Sequence, residues 1–323
     1  MNLAFAGFRH SHIIGLYNTA KATEGVFITG CFEEDETARK TAEKSGIEFN
    51  CNSYAEILNN PSVDAVAIGD YYGKRGKMII DALKAGKHVI CDKPLCTSLE
   101  ELDEIEKLSK EKGLKVACML DLRYMPQTDK VAELVKNGEI GDIATISFTG
   151  QHCLSYGSRP GWYFEEGKHG GTINDIAVHG IDLIRLITGK NLTHVNCAKV
   201  WNKFADKEPN FKDCAQFMFE MEGISVMGDV SYSAPGFGGI LPTFWNFYIW
   251  GTKGMINFRY SEDVIHLYKG TEEIIQCKRD SLKWLDDFIS EINGKGFETG
   301  TAETLKSQRQ VLEIQKEADK CSE

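Results

Sequence analysis

Basic charge is what this sequence has too little of: 37 Lys and Arg stand against 47 Asp and Glu, a net charge of −10 over 323 residues, and no basic block stands out. Such a surface repels a phosphate backbone, so nucleic acid is not an expected ligand. Long apolar runs are missing too. None approaches the ~20 residues of a membrane span, and no membrane partner is expected. The start, Met1-Asn2-Leu3-Ala4-Phe5-Ala6-Gly7, enters a short apolar run without a basic leader, which points to the cytoplasm. The ten cysteines include no CxxC pair and no Cys/His cluster at zinc spacing; Cys91 and Cys96 are the nearest two. They read as reduced, mostly buried thiols, and no metal ligand is assigned. There is no internal repeat and no low-complexity linker. What remains is an ordinary globular balance, 42% hydrophobic and 26% charged, on a chain long enough for about two cores.

The first ~120 residues alternate short apolar runs with amphipathic stretches, the pattern of βαβ units around a parallel sheet. Strands are expected at Leu3 to Ala6, Val26 to Phe32, Glu48 to Cys51, Ala65 to Ile68, His88 to Cys91 and Lys115 to Met119. Helical patterns lie between them at Asp35 to Ser45, Lys74 to Ala85 and Ser98 to Lys112, the last two closed by Gly86 and Gly113. That order is the doubly wound dinucleotide fold. Past Arg123 the texture changes. A helix from Pro126 to Lys136 leads into Ile143 to Gly150. Further strands follow at Asn196 to Trp201, Asp213 to Glu220, Ile224 to Ser231, Phe244 to Gly251, Met255 to Phe258 and Val264 to Tyr268. A helix from Ile173 to Ile187 interrupts them, and helices at Ser281 to Asn293 and Thr301 to Ala318 finish the chain. The expectation is a Rossmann domain over 1–122 and, over 123–323, an α+β domain with a large, mostly antiparallel sheet for substrate binding and oligomerisation.

The turn after the first strand reads Gly7-Phe8-Arg9-His10-Ser11-His12. A GxGxxG fingerprint uses its first glycine for the tight turn and its other two for close approach of pyrophosphate and helix. Only the first is present. The helix start still offers free N–H groups to a phosphate, and Arg9 a charge-assisted contact. Glu33, at the end of the second strand, suits the adenosine ribose and disfavours a 2′-phosphate, so NAD is expected; Arg9 and Arg39 keep NADP open. Alternatively Glu33, Glu34 and Asp35 only decorate a helix N-terminus. Asp92-Lys93-Pro94 ends a buried strand at the carboxyl edge, where ligands bind in this architecture. The Lys93 ammonium can there hydrogen-bond the oxygen of a carbon being oxidised. Asp175 and His179, four apart, share a helix face that Asp182 extends. The competing reading makes Asp175 a capping-box partner of Thr172 and His179 a buried core residue.

The run Gly86-Lys87-His88-Val89-Ile90-Cys91-Asp92-Lys93-Pro94 resembles the signature of the glucose-fructose oxidoreductase and inositol dehydrogenase family (Gfo/Idh/MocA), whose usual form is Glu-Lys-Pro. The likeness continues through Arg123-Tyr124-Met125-Pro126, Ile140-Gly141, the run from Gly170 to Asp182, and Gly251-Thr252-Lys253-Gly254. It implies an NAD(P)-dependent oxidoreductase acting on CH–OH groups of a sugar, cyclitol or derivative, with Lys93, Asp175 and His179 as the catalytic trio and His179 as proton acceptor. The dinucleotide would touch Gly7, Arg9, His10, Ser11, His12, Glu33, Asp70, Tyr71, Arg75, Asp92 and Lys93. Arg75 stands where the family often has histidine. Substrate would meet Lys93, Arg123, Tyr124, His152, Arg159, Trp162, Asp175 and His179, with Arg159 and Trp162 favoured in a polar, aromatic loop running from Gln151 to Gly171. The resemblance also implies a homodimer or homotetramer through the aromatic strand Phe244 to Trp250. Two alternatives remain: a ligand sensor on the same fold, and an epimerase or lyase with transient hydride transfer.

Overall fold

A computed structural model describes residues 1–235, 241, 243–278, 282–295 and 299–321, in two compact units. The first comprises Met1–Met119, Glu165–Gly170 and Lys283–Leu305; the second comprises Leu120–Phe164, Gly171–Leu282 and the chain from Lys306 onward.

The first unit runs β1 (Asn2–Ala6), α1 (His12–Ala22), β2 (Phe27–Phe32), α2 (Glu36–Glu43), α3 (Tyr54–Asn59), β3 (Ala65–Ile68), α4 (Tyr72–Lys84), β4 (His88–Cys91), α5 (Leu99–Lys112) and β5 (Val116–Cys118). All five strands are parallel in the order β2-β1-β3-β4-β5. Leu3 to Ala6 and Ala65 to Ile68 are fully buried, so these strands read as unbroken apolar runs. From β1 the chain goes to one side for β2 and returns to the other for β3, and a doubly wound sheet opens its ligand crevice at that reversal. Ser98 Oγ caps α5 by accepting from Glu101 N at 3.1 Å, and Gly113 closes it in the left-handed conformation.

The strand expected at Glu48 to Cys51 does not form. Asn50 Oδ1 accepts from Cys31 N at 2.8 Å, so a side chain takes the place of a ladder carbonyl. The helix α3 that follows, capped by Ser53, was not anticipated.

The second unit holds α6 (Thr128–Lys136), β6 (Ile143–Cys153), α7 (Val178–Thr188), β7 (Leu192–Trp201), β8 (Cys214–Met221), β9 (Ile224–Ala234), β10 (Phe244–Gly251), β11 (Gly254–Arg259), β12 (Val264–Tyr268) and β13 (Glu272–Gln276). They form one sheet ordered β13-β12-β11-β10-β6-β9-β8-β7, antiparallel throughout except between β6 and β9. Alternation assigns Phe148, Phe217, Phe247 and Phe258 to the core, with Phe247 and Phe258 stacked at 5.0 Å. The expected aromatic strand is therefore divided: Trp245, Phe247 and Ile249 are buried, whereas Tyr248 and Trp250 are 39% and 50% exposed.

The chain ends with α8 (Trp284–Ile292) and α9 (Thr301–Lys320). The first residue of the helix expected from Ser281 lies outside the described residues. Among the described residues no helix is long and apolar enough to cross a membrane.

Gly180 explains how closely α7 meets the sheet, because a Cβ there would sit 2.4 Å from the Phe148 ring. Gly180→Ala is expected to lower stability by about 1–3 kcal/mol through overpacking. Gly15→Ala on α1, where a Cβ meets open space, should instead gain up to about 1 kcal/mol from helix propensity. Urea midpoints of the two variants measure both; a Gly180→Ala midpoint at or above the wild type would refute the close contact.

Candidate active site

At the carboxyl edge of the first sheet, buried charge concentrates after β1, β3 and β4. Gly7 has φ +81°, and its missing Cβ would lie 2.6 Å from Asp70 N, so only glycine fits the tight turn. Glu33 is 3% exposed and accepts from the amides of Phe8 and Asp35. Burial pushes its carboxyl up despite those amides. Arg9 lies 3.3–3.8 Å from the carboxylates of Glu33, Glu34, Asp35 and Asp70, with its guanidinium 5.3 Å from the Tyr71 ring centre. Lys74 joins Glu34 at 2.6 Å and Asp70 at 2.8 Å. Ser11 makes no side-chain cap at the start of α1, and no acidic residue stands in its first turn.

Asp92 is fully buried, and three cationic or imidazole groups face it. Arg75 Nη2 is 3.0 Å and His10 Nδ1 2.5 Å from Oδ2, while His12 Nδ1 is 3.3 Å from Oδ1. Burial acts to raise the Asp92 carboxyl, but His10, Arg75 and His12 prevail and hold it well below the usual range. Burial lowers His10 to about 4, leaving a neutral imidazole at neutral pH. Arg75, expected on a cofactor wall, is wholly buried. Its Nη1 donates to the carbonyls of Asp92, Lys93 and Pro94 at 2.5–3.1 Å, and its Nε to that of Asp70 at 2.7 Å. It fixes the strand end that carries Lys93, which is 5% exposed and precedes a cis proline.

In the second unit, a π turn over Ile173–Ala177 precedes α7 and carries Asp175, so the shared face inferred from an unbroken α-helix is rotated there. The capping box does not form either. Thr172 Oγ1 donates to Lys212 O, and Asp175 accepts instead from the Tyr232 hydroxyl. Burial, with Asp175 beside it, holds Tyr232 far above its ordinary range, so it stays protonated as a donor. Gln315 Oε1 accepts from Ile173 N at 2.9 Å and Asn174 N at 3.2 Å, and Gln308 donates to Asn174 at 2.7 Å. In this way α9 pins the π turn. Asp182 does not extend the Asp175–His179 set; it takes Arg123 at 2.7 and 2.8 Å, and Ser307 at 2.7 Å.

His179 and His152 both meet the Trp245 ring, with centroids at 5.7 and 5.5 Å. Trp245 itself has φ +51° at a bulge in β10. Arg159 donates to Cys153 O and Leu154 O at 2.7 Å and stacks over Tyr163 and Tyr232 at 4.4 and 5.2 Å. Trp162 is 6% exposed against Tyr163. Tyr124, half-buried, closes a short 3₁₀ turn. Beside Tyr232 a cleft of about 500 Å³ is lined by Cys153 to Tyr156, Ser158, Phe204 and Ser233 to Pro235. Tyr232 and Trp245 are the site residues that sequence reading missed. The available signal was an inward-facing strand tyrosine, whose hydroxyl must find a buried partner.

Residues 5–120 match a family model described as "Oxidoreductase family, NAD-binding Rossmann fold", and residues 128–257 one described as "GFO/IDH/MocA C-terminal domain". Levoglucosan dehydrogenase from Pseudarthrobacter phenanthrenivorans is 29% identical over 160 residues, covering 48% of this chain and 40% of that protein. Myo-inositol 2-dehydrogenase from Thermotoga maritima is 27% identical over 161 residues, covering 50% and 47%. The matches thus span about half the length of these curated relatives. A levoglucosan dehydrogenase solved in complex with NADH and levoglucosan shares the fold, with TM-score 0.83 over 100% of this chain and 98% of that one at 20% identity.

Arg75→Gln should cost about 3–5 kcal/mol, since it leaves the Asp92 carboxylate buried without its guanidinium partner. Arg75→Lys should recover little of that, because one ammonium cannot replace the guanidinium fork. Urea unfolding of both variants checks this; a loss under about 1 kcal/mol for Arg75→Gln would mean that Asp92 is compensated without it.

Proposed function

Because the chain belongs to the Gfo/Idh/MocA family by both of its halves, we propose that it is an NAD-dependent oxidoreductase acting on a CH–OH carbon of a sugar, cyclitol or sugar derivative. The observation that carries this reading is Asp175, 2% exposed and bonded to Tyr232, four residues before His179, 6% exposed, on a segment that α9 fixes from the side. Burying such polar groups is costly, and a substrate hydroxyl is what they suit.

The first unit fits a dinucleotide in its strand order, its tight Gly7 turn and an α1 start with no capping side chain. It departs from the usual fingerprint at Arg9 and His12. The carboxylates of Glu33, Glu34 and Asp70 around Arg9 and Lys74 disfavour an added 2′-phosphate, which supports NAD over NADP. A bound nicotinamide supplies the hydride chemistry. In the oxidative direction the role of His179 is to accept a substrate hydroxyl proton, and that of Lys93 is to donate a hydrogen bond to a substrate oxygen. Asp175, oriented by the Tyr232 hydroxyl, holds a neighbouring hydroxyl. Ten cysteines without a disulfide fit a reducing compartment, in keeping with a cytoplasmic enzyme.

The exposed face of the second unit's sheet carries Met218, Met227, Tyr248 and Trp250, each 39–57% exposed, and supports pairing of two copies. Sedimentation should give at least twice the chain mass at micromolar concentration, and Trp250→Glu should shift it toward one chain. A wild-type mass of one chain would rule the pairing out.

For activity, calorimetry should show NAD binding more tightly than NADP, weakened about tenfold or more in Arg9→Ala. A sugar and cyclitol screen read at the NADH absorbance should find a substrate whose turnover falls about 10³-fold or more in Lys93→Ala and His179→Asn, with NAD affinity nearly unchanged in His179→Asn. Product without accumulating NADH would favour transient hydride transfer. Absence of any nucleotide binding would favour the sensor reading.

A further inference from the structure

We propose that His10, His12 and Asp92 form a site for one transition-metal dication of the zinc, cobalt or nickel class, a role separate from hydride transfer. One ligand atom from each of the three residues lies within 4.8 Å of the other two. The imidazoles converge on opposite oxygens of the one carboxylate, His10 Nδ1 at 2.5 Å from Oδ2 and His12 Nδ1 at 3.3 Å from Oδ1, with ring centres 4.4 Å apart.

The carboxylate is the informative member. Asp92 is fully buried, yet among the described residues no donor makes a hydrogen bond to Oδ1. A buried carboxylate oxygen left in that state carries a desolvation cost that a partner would remove. His12 Nδ1 is the group facing it, at 3.3 Å but without the orientation of a hydrogen bond. A separation of 3.3 Å nevertheless suits two ligands of one tetrahedral ion, whose edge is about 3.3 Å when metal–ligand bonds are about 2.0–2.1 Å. His12 is exposed, so its ring can adjust while Asp92 stays fixed.

Arg75 opposes the ion electrostatically, but its contact is with Oδ2, which leaves Oδ1 to coordinate. The surrounding edge offsets that charge. Among the described residues Glu33, Glu34, Asp35, Asp70 and Asp92 pair with Arg9, Lys74 and Arg75, five acidic side chains against three basic ones in these pairs. Two imidazoles and one carboxylate suit borderline metals and are a poor set for magnesium or calcium, which prefer oxygen. Three protein ligands leave a position on the exposed His12 side for water or an anionic oxygen.

The test uses the full chain, stripped with EDTA, desalted and titrated calorimetrically with ZnCl₂, with MgCl₂ as the control. One equivalent of zinc and no magnesium is expected. His12→Ala should weaken zinc at least about 100-fold, more than the loss of a supporting residue usually brings. His12→Cys should retain binding, because thiolate is itself a zinc ligand. Circular dichroism of both variants should match the wild type, since residue 12 is exposed. Cobalt gives an independent readout: its visible bands should develop in the wild type and vanish in His12→Ala. No stoichiometric zinc uptake, or uptake equal in wild type and His12→Ala, overturns the assignment.

Discussion

The ion pair between Arg75 and Asp92 organises the first unit's functional edge. Both side chains are fully buried, so neither charge could stand there alone: an isolated buried ion costs several kcal/mol even after relaxation. The pair is tolerable because the guanidinium also satisfies four backbone carbonyls, those of Asp70, Asp92, Lys93 and Pro94. These carbonyls belong to the ends of β3 and β4, where the strands have stopped and no ladder partner serves them. One arginine side chain from α4 therefore ties two loops together. The carboxylate it neutralises then reaches the third loop, through His10 and His12 after β1. The backbone that carries Lys93 is held by this arrangement.

The second unit surrounds its own buried carboxylate with a hydrogen-bonded network. Asp175 sits in a π turn at the start of the helical segment, where the first amide groups have no intrahelical acceptor. Gln315 accepts from two of them, Gln308 holds Asn174, and the Tyr232 hydroxyl serves the carboxylate. Buried networks of this kind confer rigidity when every member is satisfied. That rigidity suits the orienting role proposed for Asp175, since a misplacement of about 1 Å can cost about 100-fold in rate.

Much of the architecture was legible in the sequence because periodicity reports burial directly. Five of the six expected strands of the first unit form, and the long helices end near their expected glycines. The sixth failed because Asn50 offered a side-chain oxygen where a strand would have offered its backbone, a choice that no apolar pattern encodes. The candidate site was legible in part. Motif positions drew attention to Asp92, Lys93, Asp175 and His179, which the structure buries, yet partners such as Tyr232, 57 residues from Asp175, depend on which strand β9 lies beside. Arg123, from the family motif, and Arg159, from its polar loop, are expected substrate ligands. In the fold Arg123 pairs with Asp182, and Arg159 serves two carbonyls and two aromatic rings. These partners hold each guanidinium in place, and no pattern in the sequence announces them. The discontinuous units were hidden too, since Glu165–Gly170 joins the first unit through contacts such as Gly73 N to Lys168 O at 2.8 Å, and no change of composition marks it.

The departures from the glycine fingerprint follow from the same charge arrangement. A glycine at the third position of that turn keeps side-chain bulk away from the helix start; here the residue is Arg9, whose side chain would obstruct the turn if it projected freely. It does not project freely. Four carboxylates at 3.3–3.8 Å and the face of Tyr71 draw it toward the β2 and β3 loops. Glu33, in turn, holds the amide of Phe8, so the turn's shape is kept by a side chain where the fingerprint uses an absence of one. Arginine replaces glycine at this position by being tethered. The tether needs the dense acidic surround, and it leaves the start of α1, where Ser11 makes no side-chain cap, as a place that the helix dipole makes favourable to an anion.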